Sequence, residues 1–263
     1  IVMMCVSAVL AFLSGTEQIQ LWHIGVGTFV SGIFWVLDNP VRKTLMAGAV
    51  DSSLIGPAMS LDTVTNNGTR MLGPILGGLF LQWVGLTGVY GFAALAYVVV
   101  LLWTATLRPK TRSSRQSDHG VLSVIKRSWP LLQNYPLLAG ILMVTVVFNL
   151  WGFPFMSMIP VIGKNVLGFN SFHVGLLMSA EGCGALIGAL LIAGAGQVRH
   201  YRRLYVSGIS LYLVSAVIFS QSTLAVSSGA SLLLVGLGVA AFAAMQSTLI
   251  FLTAPEEARS LMM

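Results

Sequence analysis

Two ionisable side chains, Arg70 and Glu181, stand inside stretches of sequence that are otherwise apolar. A charge at mid-bilayer costs roughly 2.5–3.5 kcal/mol on insertion scales, so such groups face a bundle interior or a cavity. There they bind a solute, carry a proton or pair with one another. Asp62, Asn66 and Arg70 follow at four-residue intervals, and Gly73 and Gly77 continue the same helical stripe. Asp62 and Arg70 are about 12 Å apart along a helix axis and cannot pair directly. Asn66 can bridge them, or each can pair with another helix. The stripe reads equally as a solute-facing gate and as a packing seam. For Asp62, near the membrane surface, the seam is the simpler reading.

Glu181 lies in Met178-Ser179-Ala180-Glu181-Gly182-Cys183-Gly184, with Gly188 one turn further on. Gly184 and Gly188, at i+3 and i+7, put the carboxyl on a close-packing face. A carboxyl in such a place can carry a proton, or it can lock two helices. Asn149-Leu150-Trp151-Gly152-Phe153-Pro154 predicts a kink, because Pro154 has no N–H for the Leu150 carbonyl. Asn149 and Trp151 offer a hydrogen bond and a flat apolar face, for a ligand or for helix packing. Gly73-Pro74-Ile75-Leu76-Gly77-Gly78 joins a helix-loosening proline to glycines that admit a neighbouring backbone.

The elements holding these residues must be membrane spans. The hydrophobic fraction is 56% and only 8% of residues are charged, and mean hydropathy is +0.86. An ordinary soluble domain is excluded. With about 20 apolar residues per crossing, spans are expected at 1–14 (the first, incomplete), 21–41, 54–84, 87–107, 137–160, 172–196, 203–221 and 229–253. The expected class is an all-α membrane bundle of about eight helices. Two helical groups, 1–107 and 137–263, are joined by a linker at 108–136. Val121, Leu122, Ile125, Trp129 and Leu132 predict a surface-lying amphipathic helix within that linker.

The net charge of +6 invites a nucleic-acid reading, but its distribution opposes one. Twelve of the 14 basic residues fall in loops of one parity, beginning with Arg42 and Lys43. This is the positive-inside pattern, which makes those loops and the central linker cytoplasmic. The expected partners are the lipid bilayer and a small solute, with protons as a candidate co-substrate. Cys5 and Cys183 lack metal-type or redox spacing and read as small buried hydrophobes. No nucleophile elbow, zinc-binding helix or phosphate-cradling loop occurs, so neither an enzyme nor a cofactor is expected.

Several of these residues form a larger pattern. Asp38-Asn39-Pro40-Val41-Arg42-Lys43, Ala58-Met59-Ser60-Leu61, and Asn67-Gly68-Thr69-Arg70 followed by Gly73-Pro74-x-x-Gly77-Gly78 resemble the major facilitator superfamily. The resemblance is to the branch that includes the enterobactin exporter and macrolide-efflux proteins, and it covers essentially the whole chain. It implies a twelve-helix parent in two halves, of which this chain matches the third to the tenth helix and lacks two at each end. It implies a bacterial cytoplasmic membrane and an export role. The Gly73–Gly78 element is similar to the family's antiporter motif, and Asn39, Pro40 and Arg42 are similar to the end of its fourth helix. Thr69 replaces a glycine common in that motif, and the basic residue many drug–proton antiporters carry in the fourth helix is absent. The expected function is proton-coupled efflux of a small lipophilic compound by alternating access. Glu181, Asn149, Trp151, Asn66 and Arg70 would form its pathway. The alternative is a non-transporting membrane subunit whose polar residues only specify helix pairing.

Overall fold

A computed structural model describes residues 1–51, 54–106, 133, 135–152, 154–194 and 200–253. Side chains at 39, 40, 47, 55–57, 60, 251 and 252 are outside that description. So are the linker's amphipathic segment at 121–132 and the stretch 254–263.

The described residues are helical: α1 (Val2–Gly15), α2 (Leu21–Ala49), α3 (Ile55–Thr106), α4 (Pro136–Val147), a π turn (Phe148–Gly152), α5 (Phe155–Asn165), α6 (Ser171–Gly194), α7 (Tyr201–Ser220) and α8 (Ala225–Thr253). Six segments among them are long and apolar enough to cross a membrane, and α1 is a shorter apolar helix. One of the six, Leu61–Thr106, has 46 residues, about 70 Å if straight and more than twice a bilayer core. It is not straight. Gly85 takes φ +67° and ψ −173°, a left-handed φ that side-chain-bearing residues avoid. Phe80 and Phe92 then stack with ring centroids 5.0 Å apart, where a continuous helix would separate them by about 18 Å. The chain therefore folds back at Gly85, and α3 supplies two limbs, 55–84 and 86–106. Pro74 sits inside the first limb. The non-helical backbone angles fall at Gly85, at the break expected between the spans 54–84 and 87–107, while Pro74, with no N–H for the Arg70 carbonyl, is carried within a helical limb.

The described residues form two compact units, one of 1–66 and 76–114, the other of 67–75 and 115–263. In the first, α1 meets α2 where Gly27 leaves room for Leu10: a Cβ on Gly27 would stand 2.9 Å from Leu10 Cδ1. Thr87 donates to Ser14 Oγ at 2.9 Å, and Arg42 Nη1 bonds Asp62 Oδ1 at 3.0 Å. Apolar side chains such as Phe29, Trp35 and Trp103 point outward, as expected where the surrounding solvent is lipid. Cys5 is exposed and Cys183 half-buried, so neither is the enclosed small hydrophobe its apolar context predicts.

In the second unit, α6 and α7 pack on α8 through glycines. A Cβ on Gly184 would lie 2.0 Å from the Leu233 carbonyl oxygen, and one on Gly236 would lie 2.0 Å from that of Glu181. Gly208 and Gly238 play the same part between α7 and α8. Around these seams lie two apolar clusters, one centred on Leu138, Tyr205 and Phe242 and one on Ile159, Leu177, Phe219 and Leu232.

Candidate functional site

Arg70 and Glu181, 111 residues apart in sequence, meet in space. Arg70 Nη2 donates to Glu181 Oε1 at 2.7 Å. The Glu181 side chain is 4% exposed and that of Arg70 36%, so a deeply enclosed carboxylate is reached by a guanidinium from the rim. Backbone chemistry makes the approach possible. Gly182 faces residues 70 and 71 so closely that an added Cβ would stand 2.8 Å from the Arg70 carbonyl oxygen and from Met71 Cα. On the opposite side Gly236 admits the Glu181 carbonyl. With Gly184 against the Leu233 carbonyl, three glycines, Gly182, Gly184 and Gly236, clamp the peptide segment that carries Glu181. A close, charge-assisted hydrogen bond is the strong form of this interaction, and its enclosure in low dielectric raises the cost of losing either partner.

Next to the pair is an apolar cavity of about 450 Å³, walled by Met71, Ile75, Leu176, Ala180, Cys183 and Leu233 among others. Tyr212, of α7, lies within electrostatic reach of both Glu181 and Arg70. Its hydroxyl donates to the Gly152 carbonyl and so ties α7 to the π turn.

The remaining expected site residues are distributed as follows. Asn149 is exposed and donates to the Thr145 carbonyl of its own helix at 2.9 Å. Trp151 is exposed at the mouth of a cavity of about 370 Å³ that Phe148, Gly152 and Tyr212 also line. The kink expected near Gly152 is present as the π turn Phe148–Gly152. Asn66 lies on the exposed part of α3, outside the segment that packs in the second unit. Asp62 and Arg70 each pair with a different helix rather than with one another. Arg42 pairs with Asp62 at 3.0 Å and stands 3.9 Å from Asp38. α2 runs through positions 39–40, but the side chains of Asn39 and Pro40 lie outside the description.

The glycines of the Gly73–Gly78 element differ from expectation. Among the described residues, no atom lies within 4 Å of a Cβ added at Gly73 or Gly77, so the close backbone approach expected there is corrected. It occurs instead at Gly182, Gly184 and Gly236. What decides it is which helix face meets a neighbour, and a glycine alone does not set that. Tyr212 and Gly236 are site-forming residues that sequence reasoning missed. The alternation Gly236-Leu237-Gly238-Val239-Ala240 is the signal that marked the α8 seam.

Apolar helices of spanning length, glycine-mediated seams and a charged pair enclosed among them define a polytopic membrane protein. The family model described as transmembrane secretion effector, within the major facilitator superfamily, matches residues 1–261, and the chain belongs to that family. A search of curated proteins finds no match. Membership makes this an integral membrane protein with a transport or efflux role, acting in a lipid bilayer on a small molecule.

Proposed function

We propose that the protein exports a small lipophilic compound, of the drug or siderophore class, by alternating access driven by the proton gradient. The observation that carries this reading is the Arg70–Glu181 pair, because a carboxylate held by one releasable cation can exchange that cation for a proton. The adjoining apolar cavity suits a lipophilic solute. Glu181 would be the proton-linked group, Arg70 with Gly73, Pro74, Gly77 and Gly78 the gate, and Asn149, Trp151 and Asn66 contacts along the pathway. Asn39, Pro40 and Arg42 would close the cytoplasmic end. Two helical halves, 1–107 and 137–263, would rock about this centre, with the basic loops and the linker 108–136 in the cytoplasm of a bacterium and eight crossings in this stretch.

The test uses the full-length protein in everted membrane vesicles with an imposed pH gradient and a panel of amphiphilic drugs and siderophores. Expected is gradient-dependent accumulation of at least one compound, abolished in Glu181→Gln at equal protein level. Equal accumulation with and without the protein across the panel would count against export. Undiminished pumping by Glu181→Gln would remove the proton role. A non-transporting subunit is the competing reading, favoured by the Arg42–Asp62 bridge, an ion pair at 3.0 Å with its carboxylate buried, as in a fixed structural tie. Co-purification of a stoichiometric partner, with no conformational response to any compound, would establish it.

A further inference from the structure

The helices α4 and α7 both begin at one end of the second unit, and a groove of about 530 Å³ runs between them toward α8. Its walls are apolar, with Leu137, Ile141, Val144, Val206 and Leu249 along its length. At its head stands Arg202, exposed and in the first turn of α7. Arg202 and Arg203 make no ion pair among the described residues. Glu181, bonded to Arg70, is the sole carboxylate of the second unit among those residues. The N-termini of α4, with proline in its first turn, and of α7 add their positive dipole ends. Deeper in, Tyr205 lines the groove with its ring, its hydroxyl buried beside Thr145.

We infer that this groove binds one anionic phospholipid, its phosphate on Arg202 and an acyl chain laid along Leu137, Ile141, Val206 and Leu249. The charge selects the occupant. The exposed guanidinium at the rim attracts an anionic headgroup, and the apolar channel behind it suits a hydrocarbon chain rather than a free anion. Gly140 forms part of the wall, and a Cβ there would meet nothing within 4 Å. A larger side chain at this position would fill the groove without disturbing the helix seam.

The test is independent of transport. The full-length protein, purified in detergent, is mixed with phosphatidylglycerol or phosphatidylcholine of identical acyl chains, and retained lipid is counted by native mass spectrometry. Expected is at least tenfold preferential retention of one phosphatidylglycerol. Arg202→Gln and Gly140→Leu should each cut this several-fold, with thermal midpoint unchanged in both. Equal retention of the two lipids would overturn the assignment. So would phosphatidylglycerol retention unaffected by either variant, which would place the lipid elsewhere. Displacement of the lipid by glycerol phosphate alone would mean that the apolar channel plays no part, and would also overturn it.

Discussion

Arg70 reaches Glu181 at 2.7 Å only because Gly182, one residue beyond the carboxylate, leaves no side chain between α6 and the backbone of residues 70 and 71. The charged pair and the glycine contacts are one construction, and they can be tested separately.

Removing either charge should cost stability unequally. Arg70→Gln leaves a carboxyl that is 4% exposed without its cation, whereas Glu181→Gln leaves a guanidinium that is 36% exposed and can turn toward water or headgroups. We expect about 1–3 kcal/mol for Arg70→Gln and roughly 1 kcal/mol or less for Glu181→Gln. Thermal unfolding in detergent, read on both single variants and the double variant, measures the order. The reverse ranking would show that Glu181 has a second partner.

Gly184→Ala and Gly236→Ala should each force α6 and α8 apart, because the new Cβ would fall 2.0 Å from an opposing carbonyl oxygen. Overpacking of this kind costs about 1–3 kcal/mol. Gly73→Ala and Gly77→Ala meet nothing within 4 Å among the described residues and should leave the melting midpoint unchanged. A loss of transport in those two variants at full stability would assign the element to movement rather than to resting packing.

Gly85→Ala places a Cβ on a residue with φ +67°. With ψ at −173° this is a region almost confined to glycine, and holding another residue there costs about 1–3 kcal/mol. The expected signs are a lowered melting midpoint and a weaker Phe80–Phe92 contact, the latter read by disulfide trapping of a Phe80→Cys, Phe92→Cys pair before and after the glycine is replaced.

Tyr212→Phe deletes the hydroxyl that donates to the Gly152 carbonyl. The net loss should be about 1 kcal/mol, and amide exchange should accelerate across residues 148–152 while α8 is unaffected. Uniform exchange changes throughout the unit would refute a local tie at the π turn.

The spans were legible because apolar stretches of sufficient length admit no other reading, and Leu21–Met46, Ser171–Gly194 and Tyr201–Ser220 lie close to where composition puts them. Arg70 and Glu181 were each conspicuous as charges in apolar surroundings. Their pairing was not, since neither spacing nor periodicity relates residues on helices so distant in sequence. The glycines show the same limit more sharply. Gly73 and Gly77 carry a recognisable spacing yet meet no neighbour among the described residues, while Gly236, in a less conspicuous run, shares the closest approach, 2.0 Å, with Gly184. The kink near Gly152 could be read from Pro154, and the break between the spans 54–84 and 87–107 from their combined length, but not the left-handed φ by which Gly85 makes it.

The π turn at Phe148–Gly152 carries one residue more than an α turn would, and its last carbonyl accepts from the Tyr212 hydroxyl. Deleting any single residue between 148 and 151 would not merely shorten the strut. It would rotate the Gly152 carbonyl by about 100° around the axis of α4 and out of line with Tyr212.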